Sequence, residues 1–143
     1  MLFRSPLPWL HIGEVVAAEA RAKGFRRIGV LGTRYTMEGP VYPEKLGAVG
    51  LDQRTPNADE RARLDRIIMD ELVYGRFTEE SLAAFQAVIR RLAEEEGCDA
   101  VVLGCTEIPL LVTPDRSALP TLDSTRLLAM AAVNHAIALM PSS

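Results

Sequence analysis

Apolar residues along this chain follow two rhythms. Ile28-Gly29-Val30-Leu31 and Ala100-Val101-Val102-Leu103 are short unbroken runs, the pattern of strands buried on both faces. Elsewhere the apolar positions recur every three and four residues. Ile12, Val15, Val16 and Ala20 predict a helix from His11 to Lys23, stopped by Gly24. Leu64, Ile67, Ile68 and Leu72 predict a second helix, opened by an Asn57–Glu60 capping box and stopped at Gly75. Leu82, Phe85, Val88, Ile89 and Leu92 predict a third between Thr78 and Gly97. Residues 41–49 read as a short helix ending at Gly50, residues 51–55 as a second strand, and Pro120-Thr121-Leu122 as a fourth. This alternation predicts a three-layer α/β domain, with a parallel sheet of about four strands flanked by helices.

The two ends break the pattern. Residues 1–10 are apolar and interrupted by Pro6 and Pro8, which predicts an extended arm rather than a helix. The last helix, Asp123 to Met140, is apolar on most of its sides, broken by Arg126, Asn134 and His135. Such a helix wants cover from more than one direction. The expected division is an arm at 1–10, the α/β domain at 11–122, and at 123–143 a C-terminal helix packing on a partner or on a further domain.

Composition narrows the function classes. A chain of 143 residues is one domain's worth. A net charge of −3 provides no basic patch and argues against nucleic acid. No apolar run approaches the ~20 residues a membrane helix needs. The N-terminus lacks the charged-then-apolar order of a signal peptide, so a cytoplasmic protein is the expectation. Neither lysine, Lys23 or Lys45, stands where a Schiff base would form. Two histidines and no clustered Cys/His spacing predict no metal site. Cys98 and Cys105 flank one strand, about 20 Å apart at ~3.3 Å per residue, too far to bridge.

Chemistry concentrates after that strand. Open α/β sheets place their sites outside the carboxyl ends of the strands. Gly104 allows a tight turn there, and Cys105-Thr106-Glu107 leads into a new apolar turn. Helix N–H groups aimed at the Cys105 thiol would lower its pKa. The other plain strand ends in Gly32-Thr33-Arg34-Tyr35-Thr36, where backbone N–H groups and threonine hydroxyls can cradle an anion. Packing accounts for a cysteine beside a strand equally well, and helix capping for the threonines; Glu107 also suits the dipole of a first helical turn.

Gly104-Cys105-Thr106-Glu107-Ile108-Pro109-Leu110-Leu111 resembles the second cysteine motif of the aspartate/glutamate racemases that work without pyridoxal phosphate, specifically the aspartate branch. Gly32, Thr33, Thr36 and Tyr42 resemble the family's strand–Gly-Thr opening of its second half. The resemblance runs from about Pro8 to the last helix and covers only that second half. One departure is the run Asp123-Ser124-Thr125-Arg126-Leu127-Leu128, with leucine where relatives often carry histidine.

The resemblance implies a fold equivalent to one half of the two-domain racemases and cofactor-independent racemisation of a small dicarboxylic amino acid. Cys105 would move the proton, Thr106, Thr33 and Thr36 would hold the carboxylate, and Glu107 would polarise the thiol or meet the ammonium. The family uses two cysteines on opposite faces of Cα, one from each half. The second thiol would therefore come from a complementary half domain or, in a homo-oligomer, from another copy. A dicarboxylate-binding protein without turnover and a single-cysteine decarboxylase are the alternatives.

Overall fold

A computed structural model describes residues 11–140, so the arm expected at 1–10 lies outside the described residues. The order of elements is α1 (Ile12–Ala22), β1 (Arg27–Leu31), α2 (Arg34–Glu38), α3 (Val41–Ala48), β2 (Asp52–Arg54), α4 (Ala58–Asp70), α5 (Glu79–Glu96), β3 (Ala100–Leu103), α6 (Ile108–Leu111), β4 (Thr121–Asp123) and α7 (Ser124–Ala138). All four strands are parallel, in the order β2-β1-β3-β4. The helix starts behave as their residues dictate. His11 Nδ1 accepts from the Gly13 N–H at 3.0 Å, a capping role. Asn57 and Glu60 form a reciprocal capping box, and Thr78 caps α5. Gly24, Gly75 and Gly97 take the positive φ that ends the preceding turn. Helix α4 stops at Asp70, and a 3₁₀ turn over Leu72–Tyr74 covers the remaining distance to Gly75.

The central strands β1 and β3 are buried almost throughout, which their unbroken apolar runs require. One face carries Leu64, Ile68, Phe85, Ile89 and Leu92 from α4 and α5. The other carries Val16, Ala20, Tyr42 and Leu46 from α1 and α3. The charges on α4 and α5 are not simply solvated. Arg91 binds Glu60 at 2.6 Å and Glu96 at 2.9 Å, because the two helices run side by side and bring together residues 31 apart. Helix α7 lies along α1. Its other side leaves Met130, Val133 and Ile137 exposed, as are Leu139 and Met140 just beyond its end.

Two contacts hold the carboxyl ends of β1 and β3 together. The Gly104 N–H donates to the Leu31 carbonyl at 2.8 Å. Thr36 fills the corner: a methyl group at 104 would stand 2.8 Å from Thr36 Cγ2 and 2.9 Å from the Leu31 oxygen. A methyl at 32 would meet Thr36 Cβ at 2.9 Å. A third tie comes from α7, where the buried Ser124 hydroxyl donates to the Leu103 carbonyl at 3.0 Å.

Two substitutions test these ties. Ser124→Ala should lower stability by about 1–2 kcal/mol, since the Leu103 carbonyl loses its side-chain donor in a dry setting. Gly104→Ala should cost about 1–3 kcal/mol, because the Leu31 backbone cannot yield as a flexible side chain would. Chemical denaturation of each variant against the parent measures both.

Candidate active site

The loops after β1 and β3 adjoin because the strands are hydrogen-bonded neighbours. The first brings Thr33, the N-cap of α2, and Thr36. Their hydroxyl oxygens lie 3.4 Å apart, and Thr33 caps no N–H with its side chain. The second brings Cys105, half-buried, then the exposed Thr106 and the half-buried Glu107. Thr36 leans on Gly104, so the two loops share a wall. All five residues singled out from sequence therefore sit at the same edge of the sheet. Cys98 does not join them. It is buried at the amino end of β3 among core residues, and its thiol is pushed up to about 11, chiefly by burial and by the Glu96 carboxylate.

The surroundings of Cys105 correct one expectation. Burial is the largest influence and pushes the thiol up. The backbone N–H groups of Ile108 and Glu107 face the sulfur and pull it down, as a helix start should. The Glu107 carboxylate beside the sulfur pushes it up again. The net direction is upward. Helix α6 has only four residues and little dipole to offset a desolvated sulfur next to a negative charge. Cys105 is therefore held as a neutral thiol at neutral pH.

The sequence gives Ser124 no role beyond its place at a helix start, yet it anchors the end of β3. Tyr42 is buried with the Ser124 hydroxyl as its polar neighbour, and burial pushes its own hydroxyl up. A serine directly after a strand and before an apolar helix was the available signal. A cavity of about 740 Å³ opens beside Thr33, with Tyr35, Asp65 and Met69 in its wall. Among the described residues no group of three His, Cys, Asp or Glu side chains is arranged to hold a metal ion. No helix among them is long and apolar enough to cross a membrane.

A site built from threonine hydroxyls, loop N–H groups and one thiol suits binding a carboxylate and exchanging a proton next to it. The sequence matches the family model "Asp/Glu/Hydantoin racemase" over residues 4–132. The structure is similar to a candidate Asp/Glu racemase from Yersinia pestis, with a TM-score of 0.85 and 39% identity over 91% of this chain. It is similar to an aspartate racemase homologue from Pyrococcus horikoshii, with a TM-score of 0.84 and 31% identity over 90% of this chain. An aspartate racemase from Picrophilus torridus shares the fold, with a TM-score of 0.67 and 21% identity over 93% of this chain. The match covers 56%, 56% and 54% of those three chains, so this chain spans little more than half their length. On sequence and fold together, the chain belongs to the Asp/Glu/hydantoin racemase family.

Proposed function

We propose that this chain carries one proton-transfer face of a cofactor-independent racemase for small dicarboxylic amino acids. The observation that supports this most directly is Cys105 itself: a half-buried thiol beside Glu107, one residue from the corner that Thr36 and Gly104 share. The threonine hydroxyls at 33, 36 and 106, with the N–H groups of their loops, hold the substrate carboxylate. Glu107 takes the substrate ammonium or steers the thiol proton.

The chemistry divides between two sides of Cα. On one side a thiolate takes the α-proton: the C–H bond breaks, an S–H bond forms, and the electron pair left on carbon spreads into the carboxylate. On the other side a neutral thiol gives its proton to that carbon, and the hydrogen bonds to the carboxylate stabilise the charge between the two steps. Cys105, held as a thiol, begins as the donor. A single sulfur reaches one side only, so inversion needs a second thiol from a complementary half domain or another copy of the chain.

Two experiments test this reading. Aspartate or glutamate of either hand, incubated in deuterated water, should gain deuterium at Cα. Cys105→Ser should lower that rate by about 10²-fold or more, the usual contribution of a positioned acid or base, while the unfolding midpoint barely moves. A large loss of stability in Cys105→Ser would mark Cys105 as packing, and no exchange by the folded parent would leave the dicarboxylate-binding alternative. The second experiment follows alkylation of Cys105 with pH. Because its thiol titrates above the ordinary range, the rate should still be climbing beyond pH ~8.5, the pKa of a free cysteine. Glu107→Gln removes a charge that pushes the thiol up, so its alkylation profile should move to lower pH. A profile shifted upward would show that Glu107 does not oppose the thiolate.

A further inference from the structure

A cavity of about 410 Å³ opens at the outer edge of the sheet, apart from the thiol. Its place follows from the residues around it. Val112 belongs to the core on the α4–α5 face, and Leu127 packs against the core on the α1–α3 face. Thr121, Leu122 and Asp123, the whole of β4, complete the wall. A space bordered by both layers and by every residue of β4 lies past the sheet, and β4 is its outer strand. Cys105 and the threonines at 33, 36 and 106 do not border it.

The wall divides by polarity. Pro109, Pro114, Leu127 and Met130 form an apolar lining, with Leu103 and Leu122 buried behind them. Charged groups come from α1 and from the start of α7. Lys23 and Glu19 are paired with each other at 3.2 Å. Asp123 caps α7 with one carboxylate oxygen, which accepts from the Arg126 N–H at 3.1 Å. Among the described residues nothing hydrogen-bonds its other oxygen or the Arg126 guanidinium. The two side chains are three residues apart at a helix start, a spacing that sets Cβ atoms about 5–6 Å from each other. One anion and one cation thus stand side by side next to an apolar lining.

We propose that this cavity binds an amino acid with an apolar side chain, at a site separate from that of Cys105. The α-carboxylate pairs with Arg126, the α-ammonium with Asp123, and the side chain lies among Pro109, Pro114, Leu127 and Met130. The volume falls within the roughly 300–1,000 Å³ of small-molecule sites, which likewise combine apolar walls with a few convergent polar groups. A simple carboxylate would face Asp123 with like charge, and a simple amine would face Arg126 so; a zwitterion satisfies both. A dicarboxylic amino acid would carry its second charge into the apolar lining unpaired, so aspartate and glutamate are excluded. The assignment does not depend on proton transfer at Cys105.

Calorimetric titration of the intact chain with L-phenylalanine tests the site. 3-Phenylpropionate, which lacks the ammonium, and phenethylamine, which lacks the carboxylate, are the comparisons. Phenylalanine should bind, and each comparison should bind at least about tenfold more weakly. Arg126→Gln and Asp123→Asn should each weaken phenylalanine at least about tenfold. Their unfolding midpoints should barely move, since asparagine caps a helix as well as aspartate does. Cys105→Ser, or the parent in excess L-aspartate, should bind phenylalanine unchanged. No binding would overturn the proposal, as would equal binding of 3-phenylpropionate or binding that survives both α7 substitutions. Loss of binding in Cys105→Ser, or displacement by aspartate, would put the ligand at the thiol and overturn the second site. Deuterium exchange at Cα reports on Cys105 alone, so either reading can fall without the other.

Discussion

Nothing larger than hydrogen fits at position 104. The Leu31 oxygen and the Thr36 methyl already occupy the space a side chain would take, and the same close approach lets the Gly104 N–H reach that oxygen. This contact extends the β1–β3 pairing one step beyond the strands and brings their two loops together. Thr36, wedged against Gly32 and Gly104, makes that meeting a fixed corner. Cys105 follows immediately, so its place relative to the threonines is set by packed backbone. Ser124 holds the third side by fastening the start of α7 to the end of β3.

The chemistry of the corner comes from opposing influences of similar reach. Loop N–H groups favour a thiolate at Cys105; burial and the Glu107 carboxylate favour the thiol, and they prevail. A neutral thiol is the form that can give a proton to a carbanion, whereas a strongly depressed thiolate would be a poor acid. In the proposed role the same residues form a carboxylate cradle and an acid adjacent to it. The proposed role needs that combination on one side of Cα.

What lies around the corner matters as much as the corner. The domain is well filled on both faces of its sheet, yet it leaves large apolar groups open at the edge of the site and along α7. Its similar solved relatives have nearly twice the length it covers. Bare apolar groups of this size are consistent with a surface that functions in contact with another.

Much of this was legible in the residues themselves. Two unbroken apolar runs could only be central strands, because no other short element is buried on both faces. Asn57 with Glu60, Thr78, and glycines at the ends of apolar stripes marked helix boundaries through local hydrogen bonding, which needs no tertiary partner. Gly-Cys-Thr-Glu after a strand singled out the candidate site, because open α/β sheets place their sites outside the carboxyl ends of their strands. Tertiary structure decided what depends on distant residues: the pairing of Arg91 with Glu60, the Ser124 anchor, and the direction in which the Cys105 thiol is shifted. A helix start argues for a lowered pKa from local geometry alone. Desolvation depends on everything packed around the sulfur, and only the folded chain contains that information.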